Sequence, residues 1–328
     1  MVCRQLDYYS INIQCTDNDL FNLETHIGIF CLWLHSDISF KLCGEPNMEK
    51  IILLLLSLVL IVGCTQQCPT CSCPTYNCPT VTIIDNDYVS VDFIDVGQGD
   101  ATLIKYKDTE MLIDCGDNSR GPEVADFLKE KGVTYLEYLM ITHPDSDHLG
   151  GCDDVLRRIP THTVITNGES KDTVSYREVM AEIDKENIIV ASEGNEWSIG
   201  PAILKVLSSN TNSDDSNQNS IVSKLSFNDN DILLTADCDN DCERGLLDKD
   251  IEAEILRVAH HGSKYATGID LLEKVNASVA IISVGDNSYG HPTPETLDRI
   301  TQEGIALYRT DRDGTISIRI DDDSYQVE

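Results

Sequence analysis

The run Ile141-Thr-His143-Pro-Asp145-Ser-Asp147-His148-Leu-Gly-Gly151 places two imidazoles and two carboxylates within six residues, directly after the apolar, strand-like stretch Leu136–Met140. Side chains on a strand alternate between faces, so four such groups converge only where the backbone leaves the sheet and turns sharply. Gly150 and Gly151 are read as permitting that turn and a tight helix start. Imidazole nitrogens and carboxylate oxygens at this density are the donors that hold a divalent cation. His143, Asp145, Asp147 and His148 are therefore candidate metal ligands, and the chemistry is expected here.

Working outward, short apolar segments alternate with amphipathic ones. Strands are expected at Val89–Asp95, Ala101–Tyr106, Glu110–Asp114, Leu136–Thr142, Thr163–Thr166, Ile188–Ala191, Ala202–Leu207, Ser220–Phe227, Ile232–Thr235, Ile255–Ala259 and Val279–Val284. Helices are expected at Pro122–Lys131, Thr173–Lys185, Asp241–Leu247, Ile269–Val275 and Pro294–Gln302, with closing strands at Ile305–Tyr308, Thr315–Ile320 and Ser324–Val327. An early excess of strands followed by mixed β and βα units implies an α/β fold, two packed sheets flanked by helices. Ser208–Gln218, rich in Ser, Asn and Asp, reads as a mobile loop beside Asn219-Ser220, placed to cover the site.

The chain has 328 residues, of which 41% are hydrophobic, enough for a sizeable core. With 24 Lys+Arg against 56 Asp+Glu the formal charge is -32, which repels a polyanion at long range and requires metal or a local basic patch for any nucleic-acid contact. Lys50, the apolar run Ile51–Gly63 and Cys64 form a secretory signal pattern too short for a membrane-spanning helix. Its end, Leu60-Ile61-Val62-Gly63-Cys64, resembles a lipoprotein signal, with Cys64 as the lipidation site; an uncleaved anchor is the alternative. Met48 is the expected true start, and residues 1–47 are expected to be an upstream extension from gene calling. The signal then spans 48–64, and a stiff Cys/Pro/Thr-rich spacer spans 65–88. Local or inter-chain disulfides are preferred for its cysteines over a metal site, and Cys238 and Cys242 are placed to bridge. The remainder, 89–328, is the expected hydrolase domain, exported and anchored to the outer face of the cytoplasmic membrane.

Five stretches together resemble the metallo-β-lactamase superfamily, and within it the hydrolase domain of ComEC-like competence proteins. They are Phe93-Ile-Asp-Val-Gly-Gln-Gly-Asp100, Leu112-Ile-Asp-Cys-Gly116, Thr142–Gly151, Leu233-Leu-Thr-Ala-Asp237, and Ala259-His-His-Gly-Ser263 leading to Tyr289-Gly-His-Pro292. The resemblance covers about Val91 to Val327 and implies an αββα sandwich. Asp145 stands where the superfamily's HxHxDH motif has its second histidine, and Asn219-Ser220 where many relatives have another. The first departure puts oxygen in place of nitrogen and moves the metal preference toward harder ions such as manganese, and with the second the site at one metal is expected to be weak or vacant.

On this basis His143 and Asp145 are assigned toward one metal, Asp147, His148 and His260 toward a second, with Asp237 bridging; the cofactor is one or two divalent ions, zinc or manganese. Adjacent residues on a strand face opposite ways, so His260 is taken as ligand and His261 as substrate contact. Asp147, His261 and His291 are the catalytic candidates, His291 as proton donor to the leaving oxygen or phosphate holder. Asp114 and Asp95 are expected behind the ligands, and Asn219, Ser220, Ser263, Lys264 and Tyr289 around them or the substrate. The expected activity is metal-dependent hydrolysis of a phosphodiester, in DNA or nucleotides. Alternatives are a small ester, lactone or β-lactam hydrolase, or a non-catalytic metal-bound surface protein. Beyond the membrane and the phosphodiester, no protein partner is legible.

Overall fold

A computed structural model of the chain describes residues 88–209, 212–321 and 324–328. The expected upstream extension, signal, Cys64 lipidation site and most of the spacer lie outside the described residues. No helix among the described residues is long and apolar enough to cross a membrane.

Among the described residues fifteen strands form two sheets. The first orders β15 (Tyr325–Val327), β14 (Ile316–Ile320), β1 (Val89–Phe93), β2 (Thr102–Tyr106), β3 (Thr109–Ile113), β4 (Leu136–Ile141), β5 (Thr161–Thr166) and β6 (Ile188–Val190). The second orders β13 (Ala306–Arg309), β12 (Val279–Ile282), β11 (Ile255–Arg257), β10 (Asn230–Leu234), β9 (Val222–Phe227), β8 (Ala202–Ser208) and β7 (Glu196–Ile199). Both are mixed: β3 to β6 run parallel, as do β10 to β13, and the other ladders are antiparallel.

The strands read as nearly continuous apolar runs because both faces of each sheet are covered. Ile104, Met111, Ile232 and Ile255 point into the layer between the sheets. Their chain neighbours Leu103, Leu112, Leu233 and Leu256 point outward under helices. Helices α1 (Gly121–Glu130), α3 (Cys152–Arg158) and α4 (Val174–Glu182) cover the first sheet, through Val124, Leu128, Val155 and Val179. Helices α6 (Ile269–Val275) and α7 (Pro294–Gln302) cover the second, through Leu271, Leu272, Val275 and Ile300. The result is the expected helix–sheet–sheet–helix sandwich. Short helices α2 (Ser146–Leu149), α5 (Asn240–Arg244) and α8 (Thr310–Asp313) complete it. The sequence reading misses β7, α2, α3 and α8, and otherwise errs by a few residues at element ends.

Two disulfides lie beside the site strands. Cys238–Cys242 forms as the spacing suggested; Cys115–Cys152, with Cα atoms 5.1 Å apart and a sequence separation of 37, was not foreseen. Closing a loop of that length removes about 4 kcal/mol of unfolded-chain entropy. Reduction, or a Cys115→Ala/Cys152→Ala double variant, is expected to lower stability by roughly 3–4 kcal/mol in urea titrations; a loss below about 1 kcal/mol contradicts this role.

Candidate metal centre

The centre gathers where strands of both sheets end. Asp114 follows β3, Thr142 and His143 follow β4, Asp237 follows β10, His260 and His261 follow β11, and Asp100 precedes β2, which runs antiparallel to β3. The two sheets are tied at this edge by the Ile221 N–H donating to Thr142 O at 3.0 Å. Open α/β sheets commonly place ligands outside such strand ends.

After His143 the chain turns into α2, which carries Asp147 and His148. Gly150 and Gly151 serve this differently from the expectation. Gly150 has φ -56 and Gly151 φ -80, so neither uses glycine's backbone freedom. They are needed for close approach: a Cβ on Gly150 would stand 2.3 Å from Ser146 O, and one on Gly151 2.4 Å from Cys115 O. His148 is fully buried, its Nδ1 2.8 Å from Asp114 Oδ2. Asp114 also accepts from Thr142 N–H at 2.8 Å and Thr142 Oγ1–H at 2.7 Å. The Asp114 bond fixes the ring, so Nε2 is the atom His148 presents to the centre, at 3.2 Å from Asp237 Oδ1.

The sequence assignment of the histidine pair is reversed in space. The strand has ended at Arg257, and His260 and His261 both sit in the left-handed region of a tight turn, with φ 49 and 51, so strand alternation does not govern them. His261 turns inward, donates Nδ1–H to Ser283 O at 2.8 Å, and directs Nε2 to 3.3 Å from Asp147 Oδ2 and 3.5 Å from Asp237 Oδ2. His260 stands on the rim, its side chain 25% exposed, with Nε2 3.8 Å from Asp237.

Asp145 is likewise corrected. Its carboxylate pairs with Lys171 Nζ, and it belongs to none of the clusters of convergent ligand atoms. Those clusters join His143, His148 and Asp237; Asp147, His148 and His261; Asp100, Asp237 and His261; and Asp100, Asp114 and His148. Arg257 is the residue that sequence reasoning missed; Asp100, read as part of the Asp95–Asp100 turn behind the ligands, joins two of the clusters. Arg257, 2% exposed, donates from Nη2 to Asp100 Oδ2 and from Nη1 to Ala236 O. A lone arginine in the apolar strand Ile255–Arg257 was the available signal.

Around this group, Asp95 accepts from its own loop at Gly97 N–H, and Ser220 Oγ lies 3.4 Å from His143 Nδ1. Asn219 is bonded to Ser213 and Glu169, so the segment read as a mobile loop is anchored at this end. Ser263 Oγ accepts from Tyr265 N–H, while Lys264 lies over the Tyr265 ring at 4.9 Å. His291 is half-buried, its ring 5.4 Å from that of His260 and 5.8 Å from the exposed Tyr289.

Electrostatics favour a cation. Burial raises the Asp237 carboxyl, but His148, His261 and His260 more than offset it and hold it well below the usual carboxylate range. Asp147 is lowered in the same way, chiefly by His261 and His148. Conversely, burial disfavours charge on His148 and His261, yet Asp237 foremost among their neighbours raises both. His143, shielded from water and beside His148, is lowered. The carboxylates thus draw protons onto imidazoles that a divalent cation would displace. Nε2 of His143, His148 and His261 and Oδ1 of Asp237 are buried without a hydrogen-bond partner. Ligands about 2.1 Å from a tetrahedral ion stand roughly 3.4 Å apart, and the 3.2, 3.3 and 3.5 Å separations here match. The residues fit a divalent metal.

Behind the His260–Ser263 turn, Glu243 accepts from Thr267 N–H and from Gly268 N–H, the latter at 2.9 Å. Burial pushes its carboxyl up to about 7 from an ordinary 4.5, against the pull of those N–H groups and Arg299. Between these values the folded chain keeps a proton that the unfolded chain has lost, so stability falls as pH rises through the window. Urea midpoints are expected to decline from pH 5 to 7 and the decline to become shallower in Glu243→Gln; an unchanged slope refutes it.

The family model described as "Metallo-beta-lactamase superfamily" matches residues 94–286. ComE operon protein 3 of Bacillus subtilis is 30% identical over 258 residues, 70% of this chain and 33% of that protein. Recombination protein 2 of Haemophilus influenzae is 30% identical over 247 residues, 73% of this chain and 30% of its own. Competence protein ComA of Neisseria gonorrhoeae is 28% identical over 227 residues, 68% and 31% respectively. The chain therefore spans about a third of the length of these curated relatives. Among solved structures, the metallo-beta-lactamase fold protein YhfI from Bacillus subtilis is similar at TM-score 0.50 and 14% identity, over 71% of this chain and 100% of that one, a likeness of fold. Sandwich, ligand clusters and family match agree: with competence proteins as relatives, the chain belongs to the metallo-beta-lactamase superfamily.

Proposed function

We propose that this chain is an exported, metal-dependent hydrolase that cleaves a phosphodiester, in DNA or nucleotides, with water as nucleophile. One observation carries the metal-dependent reading: three imidazole Nε2 atoms and a carboxylate oxygen, all buried and unpartnered, converge at the strand ends. His148, His261, Asp147 and Asp237 would hold a divalent cation, zinc or manganese. When bound, such an ion polarises a phosphoryl oxygen and brings the pKa of water toward neutrality. Asp114 and Ser283 O keep the His148 and His261 rings aimed inward. His260, on the rim, takes the substrate-facing role first assigned to His261. Burial, then His260 and His261, lower His291 to about 4, so it meets substrate as a neutral imidazole. Its ring N–H donates a hydrogen bond to the leaving oxygen, which takes its proton from solvent, and Lys264 and Tyr289 flank the approach.

The substrate class is supported by relatives named for competence and recombination. Export is supported by the disulfides Cys115–Cys152 and Cys238–Cys242, which persist in oxidising compartments, and by the signal pattern at 48–64 with Cys64 as anchor. The charge of -32 favours nucleotides and short single-stranded ends over long duplexes. The test is hydrolysis of bis-p-nitrophenyl phosphate with added manganese or zinc, then of oligonucleotides, a lactone and a β-lactam. Phosphodiester cleavage abolished by chelator is expected. Turnover of the lactone or β-lactam alone, or of nothing by metal-loaded protein, overturns the proposal.

A further inference from the structure

The number of ions the centre accepts is legible from which ligand atoms are already committed; this rests on the metal-dependent reading above. Two of the four clusters need Asp100, whose Oδ2 is bonded to the buried Arg257 guanidinium, so that a cation there would stand against a fixed positive charge although Oδ1 is unpartnered. The other two, His143 with His148 and Asp237, and Asp147 with His148 and His261, both need His148. With Nδ1 bonded to Asp114, only Nε2 remains, and one imidazole nitrogen has one lone pair to give. An ion that takes it together with Asp147 and His261, with Asp237 oxygens 3.2 and 3.5 Å from the two rings, has its protein ligands and can expand to five-coordinate to admit water.

A second ion would be left with His143 Nε2 and an oxygen of Asp237. Asp145 and Asn219, which the motif would offer to complete its set, are both tied elsewhere. Asp145 is paired to Lys171, whose ammonium also lies 3.5 Å from Ser216 Oγ. The Asn219 amide is spent at both ends, accepting from Ser213 N–H at 3.1 Å and donating to Glu169 Oε2 at 3.1 Å and Ser213 O at 2.9 Å. Glu169 additionally accepts from Ser216 Oγ–H at 2.6 Å. Glu169 and Lys171, two residues apart after β5, thus engage both groups.

We propose that this centre takes a single divalent cation, held by Asp147, His148, His261 and Asp237, and that Lys171 and Glu169 close the second position by engaging Asp145 and Asn219. His143, its Nδ1 3.1 Å from Thr142 Oγ1, then keeps a buried Nε2 without a partner beside the ion. Native mass spectrometry and calorimetric titration of the full chain with zinc, and separately manganese, are expected to give one ion per chain. Asp145→Asn is expected to leave its Kd within about threefold, whereas His261→Gln, which removes a ligand, weakens it by about a hundredfold or more. Circular dichroism of each variant confirms the fold. Two ions per chain, or a tenfold or greater loss in Asp145→Asn, overturns the single-ion proposal and leaves the hydrolase reading standing. No bound ion at all overturns both.

Discussion

Alanine at His148 is expected to abolish metal-dependent phosphodiester cleavage, lowering kcat/KM by about a thousandfold or more, roughly 4 kcal/mol of barrier. The ring is fully buried and set from both sides, by Asp114 at 2.8 Å on Nδ1 and Asp237 at 3.2 Å on Nε2. Its removal leaves two carboxylates facing a gap, one of which anchors the exit of β4 through Thr142. Asp114→Asn isolates the orienting contribution: metal affinity is expected to fall about 10- to 100-fold with the fold intact. Calorimetric titration with zinc or manganese, beside the phosphodiester assay, measures both. A His148→Ala protein that keeps a tenth of wild-type activity or metal affinity would place the reacting centre elsewhere.

How much of this was readable beforehand follows from what each signal depends on. Strands buried on both faces announce themselves as apolar runs, and α6 and α7 coincide with the expected helices because α6 repeats apolar residues at Ile269, Leu272 and Val275 and α7 opens with proline. Helices α2 and α8, at 4 residues each, are too short to show a period. Most of the site's residues were legible from motif spacing, since His143, Asp147, His148, Asp237 and Asp114 all follow strand ends. Their partnerships were not. Lys171, 26 residues after Asp145, withdraws that carboxylate from the cluster through a contact no local pattern encodes. His260 and His261 exchanged places because alternation stops where the backbone enters the left-handed region.

Arg257 was unforeseen for the same reason, its partner Asp100 lying 157 residues away in the chain, and it yields the largest expected effect on stability. Burial alone would raise the Asp100 carboxyl; the guanidinium, with His148 and His261, holds it below its ordinary value instead. Arg257 also stands 3.8 Å from Asp237 and bonds Ala236 O, so one side chain neutralises the acidic floor of the centre and fixes the turn leading into Asp237. Breaking a buried pair by removing one partner leaves an uncompensated charge and costs about 3–5 kcal/mol. Arg257→Met, close in volume, is therefore expected to lower the metal-free protein's unfolding free energy by that amount in urea. Adding Asp100→Asn, which removes the stranded charge, is expected to restore more than half of the loss, because the penalty belongs to the pair and not to packing. A loss under about 1 kcal/mol in the single variant, or no recovery in the double, would show that Arg257 is not what compensates the carboxylates beneath the metal ligands.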